Sequence, residues 1–333
     1  VSGDDPLIGQ TIDGRYLVRR FIGKGGMGRV YEAEHVGLHK RVAIKFLPED
    51  NDADALARFR REARTASQIS HEHVVHVFDV GTTNGREYFA MEYVEGKSLQ
   101  KVLDEEGALA PERAVAIAHQ LLAGLGAVHA AGLVHRDIKP ANVLLATRED
   151  GGDFVKVMDF GLSKTVAMGD DTITSVGRVV GTPQFMAPEQ IAGAVVDARA
   201  DLYAAGICMY AMLVGKVPFA GSKVTKVAAQ HLTERPPSVA TLRPGLPAAV
   251  VMAVARALEK EPQSRFQSAR EFADALDGKA APRRASAKTL SDRPAKAGPD
   301  APTRMMTPGR RVWLAAALLA IVMAVVAAFL LQR

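Results

Sequence analysis

Cysteine is almost absent from this 333-residue chain, with Cys208 the single example. One thiol excludes an internal disulfide and a cysteine-built metal cluster, and it suits a folded part that works in a reducing compartment. Its surroundings, LYAAGICMYAML, are apolar, which points to a small core residue rather than a reactive thiol. No secretory signal is read in the opening residues either. The opening VSGDDPLIGQTIDGR is polar, without the cationic start and apolar stretch of a signal peptide, and Val in first place suits a fragment or an unusual start. No segment recurs at a period of 20–50 residues, so solenoids and propellers are excluded. Nor is the folded part basic. The net charge is +5, but residues 279–333 hold ten Lys or Arg against two Asp, a surplus of +8 that leaves residues 1–278 at −3. That distribution argues against a nucleic-acid-binding core and directs attention to what the tail touches.

What is present is ordinary for a folded protein. Apolar residues make up 48% of the chain and charged residues 24%, enough for one large or two modest domains. Residues 1–15 read as a polar lead-in. From Tyr16 to about Lys45 the runs YLVRRFIG, GRVYEAEHV and KRVAIKFL alternate with turns and predict three antiparallel strands. Residues 52–69 are rich in helix formers and carry Leu56, Phe59, Ala63 and Ala66 at helical spacing. VVHVFDVG and EYFAMEYV add two strands. From Ser98 the pattern turns helical, with Pro111 at a first-turn position. Short strands at NVLLA and VKVMDFG interrupt it, helices resume near Asp201, and SAREFADALDG is the last of them. The expectation is an α+β fold, a small antiparallel sheet with one helix followed by a larger, mainly helical part.

Gly23, Gly25 and Gly28 in FIGKGGMGRVYEAEH have a G-x-G-x-x-G spacing. Dinucleotide-binding folds use it with the last glycine opening a helix, protein kinases use it to bend a hairpin over ATP, and ordinary hairpin turns contain it too. The residues after Gly28 arbitrate. RVYEAEH reads as a strand, a turn comes at GLHK, and a second strand ends at VAIK; Val42 to Lys45 stand where the dinucleotide reading wants an acidic residue. A lysine closing an apolar strand is ordinarily a snorkelling surface residue. At this distance from the glycines, Lys45 can instead bring its ammonium under the same phosphates.

Four signals in order then resemble the eukaryotic-type (Hanks-type) serine/threonine protein kinases over roughly residues 16–276. They are the glycine loop with Lys45, HRDIKPAN at 135–142, DFG at 159–161 and GTPQFMAPE at 181–189. The resemblance implies a bilobal protein kinase fold, with an N-lobe over about 16–95 and a C-lobe over about 96–276. It also implies ATP and Mg²⁺ (Mn²⁺ as a substitute) as cofactors, and protein substrates offering Ser or Thr hydroxyls. DIKPAN and Thr182 side with serine/threonine rather than tyrosine kinases. GKGGMGRVYEAEH and MAPEQ, in a chain rich in Ala, Val, Arg and Gly, look like the bacterial membrane kinases of this type.

Carried over residue by residue, the resemblance assigns ATP binding to Ile22, Gly23, Gly25, Gly26, Gly28, Val30, Ala43, Lys45, Glu62, Met91, Glu92 and Val94. Gly25, Gly26 and Gly28 lack a Cβ and permit close backbone approach to phosphates, and Val30 covers the adenine. Lys45 neutralises the α and β phosphates with Glu62 as its partner, although Glu62 also reads as a surface charge on an Arg-rich helix. Glu92 and Val94 offer hinge backbone groups to the adenine edge, and Met91 guards the pocket behind it or simply ends a buried strand. Asp137 orients the attacking hydroxyl and Lys139 stabilises the transferring phosphoryl. Asn142 and Asp159 supply oxygen ligands to Mg²⁺. Asp201 braces the catalytic loop, and Arg265 pairs with Glu189. Arg136 is the expected partner of a phosphate on Thr172, Thr174 or Ser175, with autophosphorylation at Thr174 favoured over a plain solvated loop. A pseudokinase that binds partners without turnover is the competing function; it requires loss of Lys45, Asp137, Asn142 or Asp159, and none is lost.

Residues 277–311 have the composition of a basic juxtamembrane linker. Residues 312–331 are an uninterrupted apolar run whose twenty residues span about 30 Å as a helix, the thickness of a bilayer's hydrocarbon. A single transmembrane helix is expected there. Arg310, Arg311 and Trp313 suit its interface, and the basic linker favours a kinase side in the cytoplasm at the cell membrane, although its charges also read as merely solubilising. Gln332 and Arg333 alone follow, so a tail anchor and a chain cut short of an external domain both stay open, as does a homodimer formed through the Ala-rich helix.

Overall fold

The computed structural model describes residues 5–25, 28–47, 60, 63–159 and 183–279. Its N-terminal lobe is an antiparallel sheet of six strands: β1 (Thr11–Ile12), β2 (Tyr16–Gly25), β3 (Gly28–His35), β4 (Lys40–Phe46), β5 (Val77–Thr83) and β6 (Arg86–Glu92). Their spatial order is β1-β2-β3-β4-β6-β5. Successive side chains on a strand point to opposite faces. KRVAIKF therefore sends Val42, Ile44 and Phe46 into one apolar cluster with Tyr16, Tyr31 and Tyr88, while Ala43 joins another with Val77, Phe89 and Met91. Lys45 shares the Ala43 face by the same alternation. Residues 63–67 are helical, and Ala63 and Ala66 are buried in that second cluster; Leu56 and Phe59 lie outside the described residues.

Within the polar lead-in expected over 1–15, Thr11–Ile12 form the edge strand of this sheet. Ile12 pairs with Tyr16 and is buried, and Leu7 packs on the same outer face. The polar residues that disguised the segment are themselves engaged. Tyr31 donates to Asp5 Oδ2 at 2.9 Å and Arg29 meets the same oxygen at 3.1 Å.

The second lobe opens with β7 (Gly96–Ser98), whose Ser98 Oγ accepts the Lys101 N–H and starts α1 (Leu99–Glu106). In α2 (Pro111–Ala130) the proline stands in the first turn, where its missing N–H costs nothing. β8 (Val143–Thr147) and β9 (Asp153–Val157) form a hairpin that adds β7 as a third strand. The helices α3 (Pro188–Ile191), α4 (Ala198–Val214), α5 (Val224–Thr233), α6 (Val239–Leu242), α7 (Ala248–Ala257) and α8 (Ala269–Leu276) follow. Asp197 caps α4, and Gly215 at φ +78° ends it. Every residue from Ala200 to Leu213 is buried, as expected of a helix apolar all round, and α2, α7 and α8 contribute to the core around it. Cys208 lies at its centre, where burial pushes the thiol's pKa well up.

Both lobes belong to one compact unit, Val1–Pro282. Among the described residues no helix is long and apolar enough to cross a membrane; the run at 312–331 lies outside them.

Candidate active site

HRDIKPAN runs between α2 and β8, and one carboxylate ties its backbone from behind. Asp201, in the first turn of α4 and 1% exposed, accepts the His135 N–H on Oδ2 and the Arg136 N–H on Oδ1, each at 2.8 Å, while His129 Nε2 meets Oδ2 at 2.8 Å. Three donors compensate a carboxylate that would be costly to bury bare. Arg136 has φ +62°, a left-handed conformation that a non-glycine residue keeps only where its surroundings enforce it. His135 is fully buried, and burial pushes its imidazole below the ordinary range although Asp201 and Asp137 pull the other way. The neutral ring donates from Nε2 to the Met158 carbonyl at 3.0 Å and accepts the Asp137 N–H on Nδ1 at 3.3 Å.

Asp137 is half of a small polar cluster. Its Oδ2 accepts from Lys139 Nζ at 2.9 Å and from Asn142 Nδ2 at 3.0 Å, and Nδ2 also reaches the Asp137 carbonyl at 2.8 Å. An amide whose Nδ2 is spent this way keeps Oδ1 as an acceptor. The hairpin brings Asp159 alongside: Val143 pairs with Val157, and the Met158 N–H donates to the Asn142 carbonyl at 3.0 Å. Asp159 stands at φ +60°, and its Oδ1 lies 2.7 Å from Lys45 Nζ, both side chains largely buried. A cation from the sheet lobe thus closes on a carboxylate of the helical lobe. The expected Lys45 partner, Glu62, lies outside the described residues; the partner seen is Asp159.

Above this cluster Ala43 and Met91 face each other across β4 and β6. With Val30, Val94 and Met158 they belong to one apolar cluster that spans both lobes. At the hinge, Glu92 donates its N–H to the His76 carbonyl at 2.9 Å and its carboxylate meets Lys156 Nζ at 2.8 Å. In the β2–β3 turn, Ile22 is exposed, Gly23 pairs with Val30, and Gly25 with Gly28. Gly28 needs its hydrogen side chain for a reason internal to the sheet. It has φ +121°, and a Cβ there would collide with the Phe46 carbonyl oxygen, whereas at Gly23 a Cβ would meet nothing.

Further down, Arg265 and Glu189 form a buried pair with two parallel contacts of 2.7 Å. The guanidinium also donates to the carbonyls of Glu259 and Lys260 at 2.7 Å and of Arg199 at 3.2 Å. Gly26, Glu62, Thr172, Thr174, Ser175 and Thr182 lie outside the described residues. His129, the ring of His135 and Gln190, which donates to the Arg136 carbonyl at 3.0 Å, are the site-supporting groups that sequence reasoning missed. Only His135 carried a signal, its place beside Arg136 and Asp137.

The protein kinase domain family matches this chain over residues 16–294. The chain is 40% identical over 275 residues to the serine/threonine-protein kinase pkn3 of Myxococcus xanthus, covering 80% of this chain and 50% of that protein. It is 38% identical over 268 residues to the serine/threonine-protein kinase PrkC of Bacillus subtilis, covering 80% and 40%. The chain therefore spans half or less of the length of these curated relatives. The crystal structure of the Mycobacterium tuberculosis PknI kinase domain is similar with a TM-score of 0.64 and 31% identity, covering 82% of this chain and 98% of that one. The two-lobed architecture is the protein kinase fold, and with the cross-cleft Lys45–Asp159 contact and the Asp137 cluster in place, the chain belongs to the protein kinase domain family.

Proposed function

We propose that this chain is an active serine/threonine protein kinase, transferring the γ-phosphate of ATP to Ser and Thr hydroxyls of cytosolic proteins in bacterial signalling. The observation that carries the reading is the 2.7 Å approach of Lys45 to Asp159, because it brings the one lobe's cation to the other lobe's oxygen donors. Phosphoryl transfer needs placed charges more than covalent help. Lys45 is placed to neutralise nucleotide phosphates. Asp137 accepts the proton of the attacking hydroxyl as its oxygen bonds to the γ-phosphorus, and the bond from that phosphorus to the leaving oxygen of ADP breaks. Lys139, 2.9 Å from Asp137, offsets charge on the moving phosphoryl. Val30 and Ala43 supply an apolar roof for the adenine. The Asp159 carboxylate and the Asn142 amide oxygen fit a hard divalent cation. Mg²⁺ held there supplies charge neutralisation of the phosphates.

The same proposal extends beyond the described residues. The apolar run at 312–331 supports a single-pass anchor in the cell membrane, with the kinase on the cytoplasmic side of the basic linker. Thr172, Thr174 and Ser175 supply hydroxyls for autophosphorylation, Thr174 first, with Arg136 to receive the phosphate. The test is Mg²⁺-dependent transfer of labelled phosphate from ATP to the protein itself and to a generic basic protein, using the full chain in membranes. Wild type labels both, and Lys45→Ala and Asp137→Ala lose nearly all transfer. Normal activity in Asp137→Ala removes the catalytic assignment; unmodified Thr172, Thr174 and Ser175 in active enzyme remove the regulatory one; release of the protein from membranes by high salt removes the anchor.

A further inference from the structure

We propose that Gln190 is a positioning residue for the catalytic loop, fixing through the Arg136 carbonyl the peptide plane that carries Asp137. Its kinetic half rests on the reading of the chain as a phosphotransfer enzyme.

Gln190 directly follows Glu189 in the short helix α3, which the buried Glu189–Arg265 pair anchors. Both ends of its amide are engaged. Oε1 accepts the Ala187 N–H at 2.9 Å, the back-bond of a helix N-terminus, and Nε2 donates to the Arg136 carbonyl at 3.0 Å. Reversing the amide would set oxygen against oxygen and N–H against N–H, so the orientation follows from the partners.

On its other side Arg136 donates its N–H to Asp201 Oδ1 at 2.8 Å. A residue in a disfavoured backbone conformation is therefore gripped at both main-chain polar atoms, by α3 through Gln190 and by α4 through Asp201. The Arg136 carbonyl and the Asp137 N–H belong to one planar unit. Holding the carbonyl fixes the direction from which Asp137 leaves that plane, and the N–H on the opposite edge meets His135 Nδ1 at 3.3 Å. A cavity of about 10 Å³ adjoins Arg136, Asp137, Gln190 and Asp201. Ile138, Phe185, Met186, Ala200 and Ala204 line the rest of it, and none of them can replace a donor to the Arg136 carbonyl. The cavity is close to the smallest that holds one water, and a truncated side chain would invite water in as a substitute donor. The informative replacement is thus a side chain of glutamine's length without its amide.

The experiment compares wild type, Gln190→Met and Gln190→Glu by amide hydrogen exchange and by steady-state kinetics. Methionine keeps the volume and removes both hydrogen bonds. Glutamate keeps the acceptor for Ala187 and loses the donor, so it carries the test if the methionine variant does not fold. The expected result in each folded variant is exchange at least tenfold faster across residues 134–142, unchanged exchange in α2 and α4, and a roughly tenfold lower kcat with KM for ATP within twofold. Exchange at 134–142 equal to wild type overturns the proposal, and so does an unchanged kcat beside an active wild type. If wild type itself transfers no phosphate, the phosphotransfer reading fails, while the exchange measurement still decides whether Gln190 holds the loop.

Discussion

Lys45 and Asp137 belong to the same cluster of charges, yet they are held there differently. Lys45 lies on β4, with a strand on either side, and its direction follows from an alternation that buries Val42, Ile44 and Phe46 on one face and Ala43 on the other. Asp137 lies in an irregular loop whose place is set by polar groups: the buried Asp201 on two N–H groups, the buried His135 on the Met158 carbonyl and the half-buried Gln190 on the Arg136 carbonyl. A group placed by register needs few polar partners, whereas one placed by buried hydrogen bonds depends on each of them, because an orphaned buried donor or acceptor keeps its full desolvation cost. Substitutions that strand a buried charge in the framework of the helical lobe should therefore act on the whole fold, and those in the sheet lobe should stay local.

The largest effect expected from this contrast is at Arg265, which is fully buried and satisfies Glu189 and three backbone carbonyls at once. A buried ion pair adds little net stability over an apolar replacement, but removing one partner strands the other charge, at about 3–5 kcal/mol. Arg265→Ala should lose that much in urea unfolding and should inactivate through the fold, far from the cleft. A loss under about 1 kcal/mol would mean that the helical lobe does not depend on its polar framework.

Next in size is a pH effect from the same lobe. His231 on α5 is fully buried, its Nδ1 2.8 Å from the Tyr203 hydroxyl, with Phe219 edge-on at 4.9 Å between ring centroids. Burial pushes its pKa from 6.5 to about 4, helped by Lys260 and opposed by the Gln184 backbone. Between those values the unfolded chain takes up a proton that the folded one refuses, so stability rises with pH. The contribution is complete above pH 6.5 and is lost as pH falls to about 4, with about 3 kcal/mol as its ceiling. His135, also buried neutral, shares the direction, so the comparison is with His231→Phe, whose urea midpoint should fall less steeply from pH 7 to 5. Parallel slopes for the two proteins would remove His231 from the account.

The same contrast explains what the sequence discloses. VAIK announces a strand with its lysine on a definite face, since apolar alternation is a local signal, and HRDIKPAN places Asp137, Lys139 and Asn142 within one short loop. Asp159 was joined to them only through family resemblance, and the β8–β9 hairpin is what brings it alongside. His129 and Gln190 were illegible for a physical reason. Their partners stand 72 and 54 residues away, and a single long-range hydrogen bond leaves no period in a sequence. The Glu189–Arg265 pair, 76 residues apart, was anticipated only through family resemblance. The packing of the lead-in was not legible either, because Asp5 looks solvated until Tyr31 and Arg29 are seen to use it.

The smallest effect belongs to the sheet lobe and tests the contrast from the other side. Gly28 has φ +121°, and the atom a Cβ would strike is the Phe46 carbonyl oxygen, part of the backbone and unable to swing aside as a side-chain end could. Gly28→Ala must move the β2–β3 turn relative to β4, at a strain of about 1–2 kcal/mol. Lys45 lies upstream on β4, paired with Val30 and Phe89, and the helical lobe is untouched, so the damage should stay in the turn. Urea unfolding should show no more than that loss, and kinetics should show KM for ATP raised about tenfold with kcat within threefold. A fall in kcat at constant KM would mean that the glycine turn positions the reacting groups, and register would then no longer be sufficient to place the sheet lobe's share of the site.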